Sequence, residues 1–110
     1  MRQLFVLVHS PGPAWDHALS FFEQPGIGHH VAFMRRLTAD GRMVLGGPFD
    51  DGDASGAVGM AVITATDTEE ATRIAAEDAS VQAGLIRVQV RPWNVPMGLA
   101  LGSLPERDAD

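Results

Sequence analysis

The stretch Met43-Val44-Leu45-Gly46-Gly47-Pro48-Phe49 decides the fold. Three apolar residues begin a strand. Two glycines and a proline then end it or confine it to a sheet edge, because proline has no N–H to give to the ladder. Just upstream, residues 28–39 place His30, Phe33, Met34 and Leu37 at the i, i+3, i+4, i+7 spacing of one helical face. Asp40-Gly41 closes this helix, since glycine readily takes the left-handed conformation that terminates helices. Just downstream, the Gly/Asp-rich residues 50–56 form a loop of the kind that joins hairpin strands. Residues 57–65 follow as a strand in which small residues alternate with Val58, Met60 and Val62.

Further out, residues 3–9 alternate, with Leu4, Val6 and Val8 on one face and Phe5, Leu7 and His9 on the other. Both faces are largely apolar, so both are expected to be buried. Pro11-Gly12-Pro13 stops the strand, and residues 15–22 read as a short helix closed by Pro25-Gly26. A further helix starts behind Thr66 or Asp67 as cap, with Glu69 and Glu70 at its positive end. It buries Ala71, Ile74 and Ala75 and gives way near Asp78-Ala79-Ser80. Residues 85–90 make the last strand, with Ile86, Val88 and Val90 opposing Arg87, Gln89 and Arg91, and from Asn94 the chain reads as irregular.

This order, β-α-β-β-α-β, is an α+β fold of the ferredoxin-like type: an antiparallel sheet with both helices on one face. Residues 1–96 are expected to form one domain and residues 97–110 an irregular, partly disordered tail. The face without helices is expected to expose Phe5 and Leu7 unless something covers it. A second copy is the simplest cover, so a homodimer is expected.

Composition narrows the chemistry. The 110 residues contain no cysteine, which removes disulfides, thiolate nucleophiles and Cys-ligated metals. All eight basic residues are arginine, so no lysine is present to form a Schiff base. A net charge of −6 argues against nucleic acid, which calls for a basic patch. No apolar run approaches the length of a membrane helix. The N-terminal apolar run is short and alternates like a strand, and no small-residue cleavage site follows it, so a cytoplasmic location is expected.

Four histidines bear on function. His30 opens the long helix, where an imidazole near a carboxylate would serve acid/base chemistry around neutral pH. The alternative is a packed, hydrogen-bonded residue at a helix start. His9 ends the first strand, where it either lines the same cleft or meets solvent, while His29 and His17 read as surface residues. Asp78 orients His30, acts as a base itself, or simply ends a helix, in solvent or paired with Arg73. His9, His29, His30 and Asp78 could converge on a metal only through the tertiary fold, and no H-x-x-x-H or H-x-H spacing is present, so no metal is expected. Gly46-Gly47-Pro48 lacks the glycine spacing and lysine of a phosphate loop. Its expected role is strand termination and a pocket wall. Ser80 has no G-x-S-x-G setting, against a serine hydrolase.

The set His30-Val31-Ala32-Phe33-Met34, Asp40-Gly41-Arg42, Gly46-Gly47-Pro48, Asp67 to Ala71, Asp78 with Ala83-Gly84-Leu85, and Val90-Arg91-Pro92-Trp93 resembles the YciI-like family. That family lies in the dimeric α/β-barrel superfamily, with muconolactone isomerase and small monooxygenases. The resemblance implies a sheet-to-sheet dimeric barrel and a His–Asp pair in a cleft, here His30 and Asp78. One relative eliminates HCl from a chlorinated aromatic, while most members have no established reaction. The family often has Asp-Pro where this chain has Asp78-Ala79.

The expected function is a cofactor-free lyase or isomerase in which His30 moves a proton and Asp78 holds it, acting on a small, partly apolar molecule. His9, Phe33, Pro48, Ser80 and Trp93 are the expected substrate-binding residues. A non-catalytic small-molecule-binding or assembly module is the alternative. A cofactor-free monooxygenase is a weaker third, since it needs an electron-rich substrate.

Overall fold

The computed structural model describes residues 2–98, and residues 99–110 of the tail expected at 97–110 lie outside them. The elements are β1 (Arg2–Pro11), α1 (Ile27–Ala39), β2 (Met43–Pro48), β3 (Gly59–Ile63), α2 (Thr68–Ala75), α3 (Ala79–Gln82) and β4 (Ile86–Val95). The strands form one sheet in the order β2-β3-β1-β4, and every neighbouring pair is antiparallel. This is the ferredoxin-like α+β arrangement, with β3 inserted between the two strands that α1 connects. No helix of the described residues is long and apolar enough to cross a membrane.

The main core lies between sheet and helices. Phe5 and Leu7 of β1 and Ala61 and Ile63 of β3 meet Phe33 and Leu37 of α1 and Ala71, Ile74 and Ala75 of α2. Each helix contributes one stripe, as its periodicity requires. α2 starts behind Asp67, whose carboxylate accepts a hydrogen bond from the Glu70 N–H at 2.7 Å. This satisfies one of the donors a helix N-terminus leaves open.

The structure corrects the expected facing of β1. Phe5, Leu7 and His9 point to the helices and are buried, whereas Val6 and Val8 lie half-buried on the bare face. Both faces of this strand are apolar in sequence, so the pattern alone does not distinguish them.

Residues 15–22 do not form the expected helix; only a single 3₁₀ turn, Phe21–Glu23, is present. The Gln24 side chain is buried and takes the backbone groups a helix would need. It accepts from the Asp16 N–H at 2.9 Å and donates to the carbonyls of Asp16 at 2.6 Å and Leu19 at 3.0 Å. Trp15 anchors the segment in a second cluster with Ile27, Val58, Leu85 and Ile86.

β4 runs past its expected end through Pro92, Trp93 and Asn94 to Val95, because all ten residues of β1 pair with it, from Arg2 opposite Val95 to Pro11 opposite Ile86. As an edge strand it tolerates Pro92, whose missing N–H can point outward. α3 is a further element absent from the sequence expectation; four residues are too few to show a helical period.

At the start of the 12–15 turn, a side chain on Gly12 would run into the backbone carbonyl of Gly84, and the two segments are tied by Gly12 N–H to Leu85 O at 2.9 Å. Gly12→Ala is therefore expected to destabilise the protein by roughly 1–3 kcal/mol, read as a lower urea midpoint with unchanged m-value.

Candidate functional site

Three elements deliver three polar side chains to one place. His9 stands near the end of β1, His30 in the first turns of α1, and Asp78 at the N-cap of α3. All three are buried, at 3%, 5% and 1% exposure. A carboxylate this deep requires partners. Asp78 Oδ1 accepts from the Ser80 N–H at 2.9 Å and the Ser80 hydroxyl at 2.7 Å. Its Oδ2 lies 2.6 Å from His30 Nδ1.

Burial opposes ionisation of Asp78. The hydrogen bonds from His30 and Ser80, with the His30 charge, outweigh it, so its carboxyl is held below the usual carboxylate range. An ionised carboxylate only accepts, so His30 Nδ1 carries the proton and donates it. Nε2 is then the nitrogen His30 has free for chemistry. Ser80 and the α3 cap hold Asp78 in place with alanine, not proline, at the next position.

The His9 ring stands edge-on to His30, with centroids 4.7 Å apart and planes at 79°. Burial first, and the neighbouring His30 second, push the His9 pKa down to about 4; Asp78 acts in the opposite sense. At neutral pH His9 is an uncharged imidazole. Phe21 also meets His30 edge-on, at 5.8 Å.

His9 and His30 line a cleft of about 220 Å³ between α1 and the β2–β3 end of the sheet. Its walls are mainly apolar, from Phe21, Phe22, Met34, Met43 and Met60, with Arg35 and Thr38 also along α1. Gly46, Gly47 and Pro48 close one side. Gly46 permits this wall, since a Cβ there would press on Ala61 at 3.1 Å.

Of the residues singled out in sequence, His9, His30 and the Gly46-Gly47-Pro48 stretch therefore border the cleft. Asp78 sits behind His30, and Ser80 behind Asp78, as its hydrogen-bond donor. Phe33 lies in the helix–sheet core at 5% exposure, and Trp93 lies on the bare face of the sheet beside Val6, Val8 and Arg91. His29 is exposed, and His17 bonds Asp53 at the surface at 2.7 Å. Arg73 pairs with Glu69, not with Asp78. Phe21, Phe22, Met34 and Arg35 are cleft residues that sequence reasoning missed. A paired Phe21-Phe22 in a loop just before the histidine helix was the available signal.

His9, His30 and Asp78 each place a ligand-capable atom within 4.8 Å of the others. Two imidazoles and a carboxylate are a donor set that transition metals accept. Here both Asp78 oxygens are already engaged by His30 and Ser80, so a metal taking all three residues would have to break the His30–Asp78 bond.

Folded His9 takes a proton only near pH 4, while the unfolded chain takes one near 6.5. Between those values the unfolded state binds more protons, so stability falls as pH falls, by roughly 3 kcal/mol across the window. Asp78 acts lower down: its contribution is present above the ordinary value of 3.8 and is lost only as pH drops through its depressed value. Urea titrations of wild type and His9→Phe from pH 7 to pH 4 should show a steep limb in the first and a flatter one in the second. Equal slopes would mean that His9 is not held neutral.

A family model of the YCII-related domain matches residues 20–94, a span that contains His30 and Asp78 and excludes His9. The uncharacterised protein YjpA of Bacillus subtilis (strain 168) is 35% identical over 74 residues, covering 67% of this chain and 82% of that protein.

Proposed function

The chain belongs to the YCII-related family, and from that premise we propose that its cleft carries out cofactor-free proton transfer on a small, partly apolar molecule, as a lyase or isomerase. The observation that carries this reading is the 2.6 Å contact between His30 Nδ1 and the buried Asp78 carboxylate. With Nδ1 committed, Nε2 accepts a proton from the substrate and later returns it. Asp78 fixes the tautomer and balances the imidazolium that forms. The apolar walls provide the contact area for a ligand without many polar groups. Of the side chains expected to bind substrate, His9 and Pro48 border the cleft; Phe33 packs in the core, Ser80 holds Asp78, and Trp93 lies on the bare face of the sheet.

His30→Ala should lower kcat/KM by about 10²–10⁴ against whichever substrate is found in a panel of chlorinated phenols and lactones. Asp78→Asn keeps the shape but removes the charge, and should lower kcat more than it raises KM. Full turnover by both folded variants would reject proton transfer and favour a cleft used only for binding.

We also propose a cytoplasmic homodimer formed through the bare face of the sheet. Val6, Val8, Met60 and the half-exposed Trp93 present an apolar surface there. Such a surface is covered most simply by its own copy across a twofold axis. Sedimentation velocity should give a dimer for wild type and a monomer for Val8→Glu; a monomeric wild type at tens of micromolar would reject the dimer.

A further inference from the structure

We propose that His9 is a second reacting group of the cleft, donating a hydrogen bond to a carbonyl oxygen, and that the site takes a small carbonyl compound with an acidic α C–H. This rests on the reading of His30 as the proton acceptor.

The His9 ring has no hydrogen-bond partner among the described residues. Buried polar groups have partners almost without exception, and among the described residues no fully enclosed side-chain N or O lacks one. His9 is 3% exposed, yet no described residue forms a hydrogen bond with either ring nitrogen; its ring contact is with His30. Its nitrogens therefore open onto the cleft, where a molecule bound there can take the place of solvent as their partner.

The second observation is rigidity. His9 is paired to Gly59 on one side and Val88 on the other, and its carbonyl accepts from the Val58 N–H at 2.8 Å. A donor fixed on a central strand is already aimed before the substrate arrives, and in a largely apolar site such a donor is worth more than in water.

The third is charge. Burial and the nearby His30 keep His9 uncharged at neutral pH. It can offer an N–H without setting a cation beside the imidazolium that forms on His30. The residues 20–94 matched by the family model stop short of His9, so its role does not follow from family membership.

The step these groups perform is enolisation. The substrate α C–H bond breaks and its proton goes to His30 Nε2. The freed electron pair forms C=C as the carbonyl π pair moves onto oxygen. The His9 N–H hydrogen-bonds that enolate oxygen without transferring its proton. His30 then returns the proton to a different carbon, which gives an isomer, or the enolate expels a leaving group from the β carbon with its bonding pair, which gives an elimination.

The probe is 4-nitrophenol, whose phenolate carries an oxyanion on an apolar ring and is visible at 400 nm. At a pH where the free compound is mostly protonated, wild type should bind it and raise the phenolate absorbance as the proton passes to His30. His9→Phe should weaken binding roughly tenfold to a hundredfold and lower the phenolate fraction. His9→Asn retains an N–H donor and should recover part of both, and it carries the test should His9→Phe fail to fold. His30→Ala should abolish phenolate formation. Wild-type binding and ionisation in both His9 variants, with loss in His30→Ala, would overturn the role of His9 and leave the proton-transfer reading intact. Absence of phenolate formation in wild type, or its survival in His30→Ala, would overturn both.

Discussion

The buried carboxylate of Asp78 is the constraint on which the rest depends. At 1% exposure it has lost its water, and the chain replaces that water from two directions. Ser80 answers from the same turn, and His30 from a helix 48 residues earlier in the chain. Removing one partner of such a pair leaves an uncompensated charge, which costs several kcal/mol in buried sites. The contact therefore ties α1 to α3, and the same rigidity holds an imidazole in a defined tautomer. Stability and preorganisation come from one contact here.

Around this contact the fold divides its labour. The sheet supplies a fixed floor, on which β1 carries His9 among residues paired on both sides. The helix starts supply the paired polar side chains: His30 from the first turns of α1, Asp78 from the cap of α3. The flexible, polarisable walls include Met34 of α1 and Met43 of β2. Polar groups sit on the rigid parts, and adaptable apolar ones surround them, an arrangement suited to holding a small molecule against fixed donors and acceptors.

Legibility in the sequence follows interaction range. α1 and the Asp67 cap of α2 were readable because a helical period and a cap are local properties. The order of strands was readable for the same reason. The expected helix at 15–22 failed because one buried side chain, Gln24, outcompetes the helical hydrogen bonds, and no periodicity reports that. The faces of β1 were unreadable because both are apolar. Within the site, Phe33 and Met34 share the apolar stripe of α1, yet the first packs into the core and the second lines the cleft. That difference is one residue's rotation about the axis, finer than a pattern of apolar spacing resolves. The pairing of His30 with Asp78 is non-local, and the sequence offered it only through likeness to a family.

The two prolines on the sheet's outer strands, Pro48 and Pro92, have a consequence for assembly. β2 and β4 are the sheet's edges, and an exposed edge is a template for growth by added strands. A strand arriving at either side would find one rung of its ladder without a donor. Gly46 and Gly47, beside Pro48, further weaken the β2 rim as a template, since glycine orders into a strand at an entropic cost. Lateral polymerisation is thus discouraged at both borders.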